Sequence, residues 1–214
     1  MTLRLYSAWR ATAPYRVRIG LALKGLAYDY SGVDLLAGQQ RSPEYRAVNP
    51  QGLTPALVVD SRVLTQSLAI LEWLEETHPE PAILPRGAFE RHTVRAMAAI
   101  IACDIHPLNN TRVAGALANL GMSEADRLAW TQRWIVDGFT ALEPMIARDG
   151  RGFAFGEAPT IADCCLVPQV YSARRFDVDL SPFPAIVAAA DHAGALPAFA
   201  AAHPDRQPDK PAAM

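Results

Sequence analysis

A chain of 214 residues can bury a sizeable core without disulfide or metal staples, and its length admits one large domain or two small ones. Half of its residues are hydrophobic and a fifth are charged, with a formal net charge of −2, which excludes a disordered tail and a polyanion-binding surface; nucleic acid is not an expected partner. No run of about 18 uninterrupted apolar residues occurs, and the start Met1 to Leu5 has no long apolar stretch, so a soluble cytoplasmic protein outside the membrane is expected.

Residues 3 to 8 (LRLYSA) read as a strand. Residues 13 to 24 follow with Val17, Gly20 and Leu21 at helical spacing, ending at Gly25 as the residue past the helix. A second extended run covers Tyr28 to Leu35. "PALVVDSRVLTQS" then reads as a hairpin turning at Asp60 and Ser61. Ser67 to His78 closes the unit as a helix with Ile70, Leu71 and Leu74 on one face and Glu72, Glu75 and Glu76 on the other, stopped by Pro79. The first 78 residues therefore run β-α-β-β-β-α, the order of a thioredoxin-like domain.

"PEPAILPR", residues 79 to 86, has three prolines in eight residues and reads as a semi-rigid linker. Beyond it the pattern is Ala-rich and helical. "ERHTVRAMAAIIACDIHPLNNTRVAGALANL" predicts a long helix kinked at Pro107, and "DRLAWTQRWIVDGFTALEPMIA" another. "APTIADCCLVPQV" carries Thr160 and Asp163 at capping-box spacing. The tail "HPDRQPDKPAAM" has no apolar period and is expected to fray. The expected partition is an α/β domain over residues 1 to 80 and an all-α domain over 87 to 207.

Candidate chemistry is sparse. Cys103, Cys164 and Cys165 are odd in number, lack zinc-ligand spacing and are expected to be buried reduced thiols. No HxxxH or Cys/His cluster occurs among five histidines, so no metal is expected. The turn after the first strand, Ala11-Thr12-Ala13-Pro14, carries no sulfur, so thiol chemistry must come from a ligand. "NPQGLTPAL" sets Thr54 before Pro55, where trans is expected because only about 5–6% of X–Pro bonds are cis. Gln66 and Ser67 sit at a helix start, where free amides and the dipole favour a carboxylate and where Ser67 could equally be a plain cap.

These pieces in order, an S/T turn, NPxGxTP, QS at a helix start and a Pro-rich linker into helices, resemble the glutathione transferases. "LYSAWRATAPYRVRIGLALKG" resembles the zeta-class signature, and "CDIHPLNNTR", "APTIADCCLVPQV" and "SARRF" resemble the bacterial maleylacetoacetate and maleylpyruvate isomerases of that class. The likeness covers essentially the whole chain. It departs from the family in one place, where Ser-Ser-Cys is replaced by Ala11-Thr12-Ala13.

The resemblance implies glutathione as cofactor and cis-trans isomerisation of a maleyl keto acid by reversible thiolate addition. Gln66 and Ser67 would hold the γ-glutamyl end, Thr54 with Pro55 the cysteinyl unit, and Gln51, His106 and Asn110 would lie near the glycine end or its partner chain. Thr12 would supply the hydroxyl that favours thiolate, unless it merely caps the helix. Arg10 would sit beside the sulfur and bind the dicarboxylate-like substrate, with Arg112 and either Arg174 or Arg175, foremost Arg175, from the helical domain. Arg16 and Arg18 lie about 200° apart on the helix and read as packing or ion-pair residues. A homodimer is implied by the family. Two other activities remain open: a transferase or α-halo acid dehalogenase that releases a conjugate, and a non-catalytic glutathione-binding module.

Overall fold

The structure is a computed structural model describing residues 2–211, and its chain forms two compact units. The first comprises the chain to Ile83 together with the segment from Leu196; the second runs from Leu84 to Ala195.

In the first unit β1 (Leu3–Ser7), β2 (Asp29–Gly32), β3 (Ala56–Val59) and β4 (Arg62–Thr65) form a sheet of order β2-β1-β3-β4. β1 runs parallel to β2 with Leu5 beside Tyr30 and antiparallel to β3 with Leu5 beside Leu57; β3 and β4 are the expected hairpin, Asp60 taking positive φ in its turn. The alternation buries Leu3, Leu5 and Ser7 of β1 and leaves Thr2 and Arg4 exposed. α1 (Thr12–Leu23) packs on α3 (Ser67–Thr77) at Gly20, where a Cβ would run into Leu71. Gly25 ends α1 with φ +64, the left-handed position that glycine occupies without strain.

The sequence reading missed α2 (Pro43–Val48), a six-residue helix capped by the Ser42 hydroxyl, which accepts from Tyr45 N at 3.2 Å. Only Tyr45 of this helix is buried, so no apolar period marks it. The C-terminal segment also departs from expectation. α9 (Pro197–Ala202) packs on α1, with Phe199 fully buried, and the chain stays attached as far as Asp209, which accepts from Trp9 N at 3.0 Å. Residues 196–211 therefore belong with the sheet, where the sequence placed residues up to 207 with the helices and expected the tail to fray. Its last three residues, 212 to 214, lie outside the described residues.

The second unit holds α4 (Ala88–Ala99), α5 (Thr111–Asn119), α6 (Glu124–Asp149), α7 (Ile161–Arg175) and α8 (Pro184–Gly194). The long helix expected to kink at Pro107 is instead three pieces: α4, a π segment at Ile100–Ile105 and a 3₁₀ turn at His106–Asn109 that ends before Asn110 caps α5. The π winding buries Ile101 and Ile105 and turns Cys103 outward, correcting the expectation that all three cysteines are buried; Cys164 and Cys165 are. α7 is the core helix of this unit, packed by α4 and α8.

At its start the expected capping box is present. The Asp163 carboxylate accepts from Thr160 N at 2.8 Å, Thr160 Oγ1 at 3.0 Å and Ala154 N at 2.7 Å, and is fully buried. Asp163→Ala strands the buried amides of Ala154 and Thr160 and breaks the Asp163 half of the capping box, so urea denaturation should show a loss of about 2–4 kcal/mol. Burial outweighs these hydrogen bonds and pushes the Asp163 pKa up from 3.8 to about 6. With the folded value above the unfolded one, its contribution to stability is full below pH 3.8 and lost as pH rises through about 6. Asp163→Asn should accordingly lose less stability than wild type between about pH 4 and about pH 7.

Candidate active site

The turn between β1 and α1 is short and closed by Ala11 N donating to Ala8 O at 3.1 Å. Ala11, with extended backbone and no side-chain bond, occupies the N-cap position, and Thr12 is the first residue of the helix. Thr12 is thus not the cap. Its hydroxyl has no protein partner among the described residues, and since Pro14 brings no N–H, the Thr12 and Ala13 amides are the open donors of the first turn. A 12-residue helix adds its positive end at the same place. Arg10 is exposed and lies over the Trp9 ring, its guanidinium 5.3 Å from the ring centre, with no carboxylate holding it among the described residues.

The other two arginines of this stretch point inward, each 1% exposed. Arg18 donates to three backbone carbonyls, Nη2 to Trp9 O at 2.8 Å, Nη1 to Ala8 O at 3.3 Å and Nε to Ala202 O at 3.0 Å, and Nη1 also to the Ser7 hydroxyl at 3.0 Å. Tyr15 covers its face, and burial pulls its pKa below the usual arginine value. Arg16 reaches across to α3, donating from Nη1 to Ser67 Oγ at 3.3 Å. Both are packing residues, as expected, and both brace the parts of the chain that carry the candidate site.

In the same unit the Thr54–Pro55 bond is cis, against the trans expectation. The loop before it is tied by Asn49 Nδ2 and Tyr45 Oη, both donating to Leu53 O at 2.6 and 2.7 Å, and by Gly52, whose φ of +63 and 2.9 Å approach of a Cβ to Gln40 O exclude a side chain. Gln66 precedes α3 with φ +68 and ψ 113, a conformation few non-glycine residues adopt and one that persists where surroundings impose it. Its Nε2 donates to Gln51 Oε1 at 2.8 Å, bringing those two predicted residues together. Ser67 is buried at the first position of α3, whose Ser67, Leu68 and Ala69 amides have no intrahelical acceptor.

In the helical unit His106 opens the 3₁₀ turn and is half-buried. Asn110 is the N-cap of α5: its Oδ1 accepts from Arg112 N at 3.0 Å, an anchor that fixes the side chain at the helix start. The Arg112 side chain is exposed on the first turn of α5. Of the "SARRF" pair, Arg174 is bound to Asp191 at 2.8 Å, and the Arg175 guanidinium stacks over the Phe176 ring at 4.6 Å.

A family model described as the glutathione S-transferase N-terminal domain matches residues 13–77. Along the whole length, a maleylpyruvate isomerase from a Ralstonia species is 49% identical, covering 97% of this chain and 99% of its own, and a maleylacetoacetate isomerase from Pseudomonas aeruginosa is 47% identical, covering 99% and 100%. A holo structure of a maleylpyruvate isomerase, described as a bacterial zeta-class glutathione S-transferase, superimposes with a TM-score of 0.94 at 49% identity over 96% of this chain and 99% of that one. The chain belongs to the zeta-class glutathione transferases. The maleylacetoacetate isomerase of Anaeromyxobacter dehalogenans, solved with glutathione in its active site, is 47% identical with a TM-score of 0.89 and 98% of both chains covered.

Within this zeta-class chain, several residues that shape the site escaped the sequence reading. Arg18 had a visible signal, a cation among Val17, Ile19 and Leu21 on a helix meant to be buried, yet its backbone acceptors could not be foreseen. Asp209 had none: it sits in a Pro-rich tail of no period, 200 residues from the amide it holds.

Proposed function

We infer that this protein is a glutathione-dependent cis-trans isomerase of a maleyl keto acid, maleylpyruvate or maleylacetoacetate, in aromatic compound or tyrosine catabolism. One observation carries this reading: full-length identity of 49% and 47% to isomerases of those two acids. The residues present suit glutathione, because an uncommitted hydroxyl stands at the start of one helix and open amides beside Gln66 and Ser67 stand at the start of another.

When bound, glutathione would supply the thiolate for reversible addition to the cis double bond. Thr12 Oγ donates toward the sulfur and, with the Thr12 and Ala13 amides, favours thiolate over thiol. Gln66 and Ser67 hold the γ-glutamyl end, Gln66 fixed by Gln51 and Ser67 by Arg16. Thr54 and Pro55 present backbone to the cysteinyl unit. Arg10 takes a substrate carboxylate and faces the negative charge that develops on the carbonyl oxygen. Arg112 and Arg175 are assigned to the dicarboxylate-like substrate, and His106 and Asn110 to glutathione, on the strength of the resemblance. The enzyme is read as a cytoplasmic homodimer; no helix among the described residues is long and apolar enough to cross a membrane.

The test is the absorbance of maleylpyruvate, maleylacetoacetate and maleylacetone mixed with purified protein, with and without glutathione. Rapid isomerisation that requires glutathione and leaves its concentration unchanged is expected. A stable conjugate accumulating in place of recycled glutathione would establish the transferase instead, and tight glutathione binding without turnover of any acid would establish a binding module. Sedimentation at micromolar concentration checks the dimer.

A further inference from the structure

The two backbone polar groups of Trp9 are both held by side chains. Its N–H donates to Asp209 Oδ2 at 3.0 Å, and its carbonyl accepts from Arg18 Nη2 at 2.8 Å. Each of these two side chains is itself tied to a second part of the same unit. Asp209 Oδ1 accepts from the Tyr30 hydroxyl on β2, and Gly32 at the end of that strand leaves the room it needs, since a Cβ there would lie 3.1 Å from the Asp209 Cβ. Arg18 Nε donates to Ala202 O at the end of α9.

The segment that brings Asp209 here is organised rather than extended. Gln207, buried, donates to Ala201 O at 3.1 Å and His203 O at 2.9 Å, and the His203 ring stands edge-on to Tyr15 of α1. Trp9 carries the Arg10 guanidinium over its ring, and the chain reaches Thr12 three residues later. The turn has no side-chain cap, and Asp209 and Arg18 hold its backbone at Trp9.

We propose that Asp209 is a positioning residue of the reaction, fixing through the Trp9 amide the turn that presents Arg10 and Thr12. This makes residues 196–211 a strap on which the reactive turn rests. The inference rests on the roles given above to Arg10 and Thr12. The physical reason for an effect is that displacement of a reacting group by about 1 Å costs on the order of 10²-fold in rate, while a half-buried N–H that loses its acceptor is free to shift toward water.

Asp209→Ala, Asp209→Asn and the control Lys210→Ala should be compared with wild type; the Lys210 ammonium bonds Asp205 of the same tail. In Asp209→Ala, amide hydrogen exchange over residues 8 to 12 should rise about tenfold or more. Its kcat should fall about 10- to 100-fold with little change in the KM for glutathione, and the ionisation midpoint of bound glutathione, read from thiolate absorbance, should move up. Asn keeps an acceptor and should restore most of both, and Lys210→Ala should match wild type. In an Arg10→Ala background the Asp209→Ala loss should shrink, because the two act through one group.

Unchanged exchange at the turn overturns the proposal. So does faster exchange with kcat intact, or a loss of equal size in the Arg10→Ala background. If wild type turns over no maleyl acid, the functional reading fails while the strap is still decided: an ionisation midpoint of bound glutathione that Asp209→Ala leaves in place overturns it, and one that moves up supports it.

Discussion

Arg10→Ala should lower kcat for maleyl keto acid isomerisation by about 10²–10³-fold while leaving glutathione affinity within about threefold. The guanidinium is exposed against the Trp9 ring, so its removal opens no cavity and breaks no hydrogen bond among the described residues. Its donors are available to a carboxylate and to an oxygen that gains charge as the double bond is attacked, and help of that kind is worth more in the transition state than in the ground state. Arg10→Lys keeps the charge and loses the planar fork, and should recover only part of the rate. Thr12→Val separates the neighbouring contribution. It removes the hydroxyl at nearly constant shape, so the thiol of bound glutathione should ionise at higher pH and the rate deficit should narrow as pH is raised. Stopped-flow absorbance across a pH series reads both. A Thr12→Val protein with wild-type ionisation would assign thiolate stabilisation to the Thr12 and Ala13 amides alone.

Glu75→Ala should destabilise the protein by about 3–5 kcal/mol, read as a lower urea midpoint at constant slope. The Lys24 ammonium is fully enclosed, 2.7 Å from Glu75 Oε2 and 2.6 Å from Pro81 O, and the same carboxylate oxygen accepts from Ile83 N at 2.9 Å. Removing the carboxylate strands a buried cation and the amide at once. The pair joins the end of α1, the last turn of α3 and the chain that follows, so the double variant Lys24→Met with Glu75→Leu, which buries no charge, should recover most of the loss. A double variant as unstable as Glu75→Ala would assign the effect to the Ile83 amide instead.

The contrast between these two sites explains what could be read from sequence. The β1-α1 unit, the hairpin and α3 were legible because period and punctuation agree: alternating burial in β1, Gly25 after α1, Asp60 in the turn, Pro79 after α3. α2 was missed because one buried residue in six makes no pattern, although Ser42 and Pro43 are a cap and a first-turn proline. The helix that Pro107 was expected merely to bend is broken instead, and Asn110 begins α5 anew by accepting from the amide of Arg112. The helix starts at Thr12 and Ser67 were readable as anion sites because helix ends carry open donors wherever they occur. What supports them was not, because Arg18, Arg16 and Asp209 act on groups 9, 51 and 200 residues away and leave no local mark.

The attachment of α9 to α1 sets the order in which this protein can be finished as it is made. A nascent chain that has emerged as far as Ala195 offers everything the helical unit contains. The sheet, though translated first, still lacks Phe199 for its core and the Ala202 carbonyl for Arg18. Synthesis runs from the N-terminus at about 5–20 residues per second, so for this chain the part begun first is the part completed last.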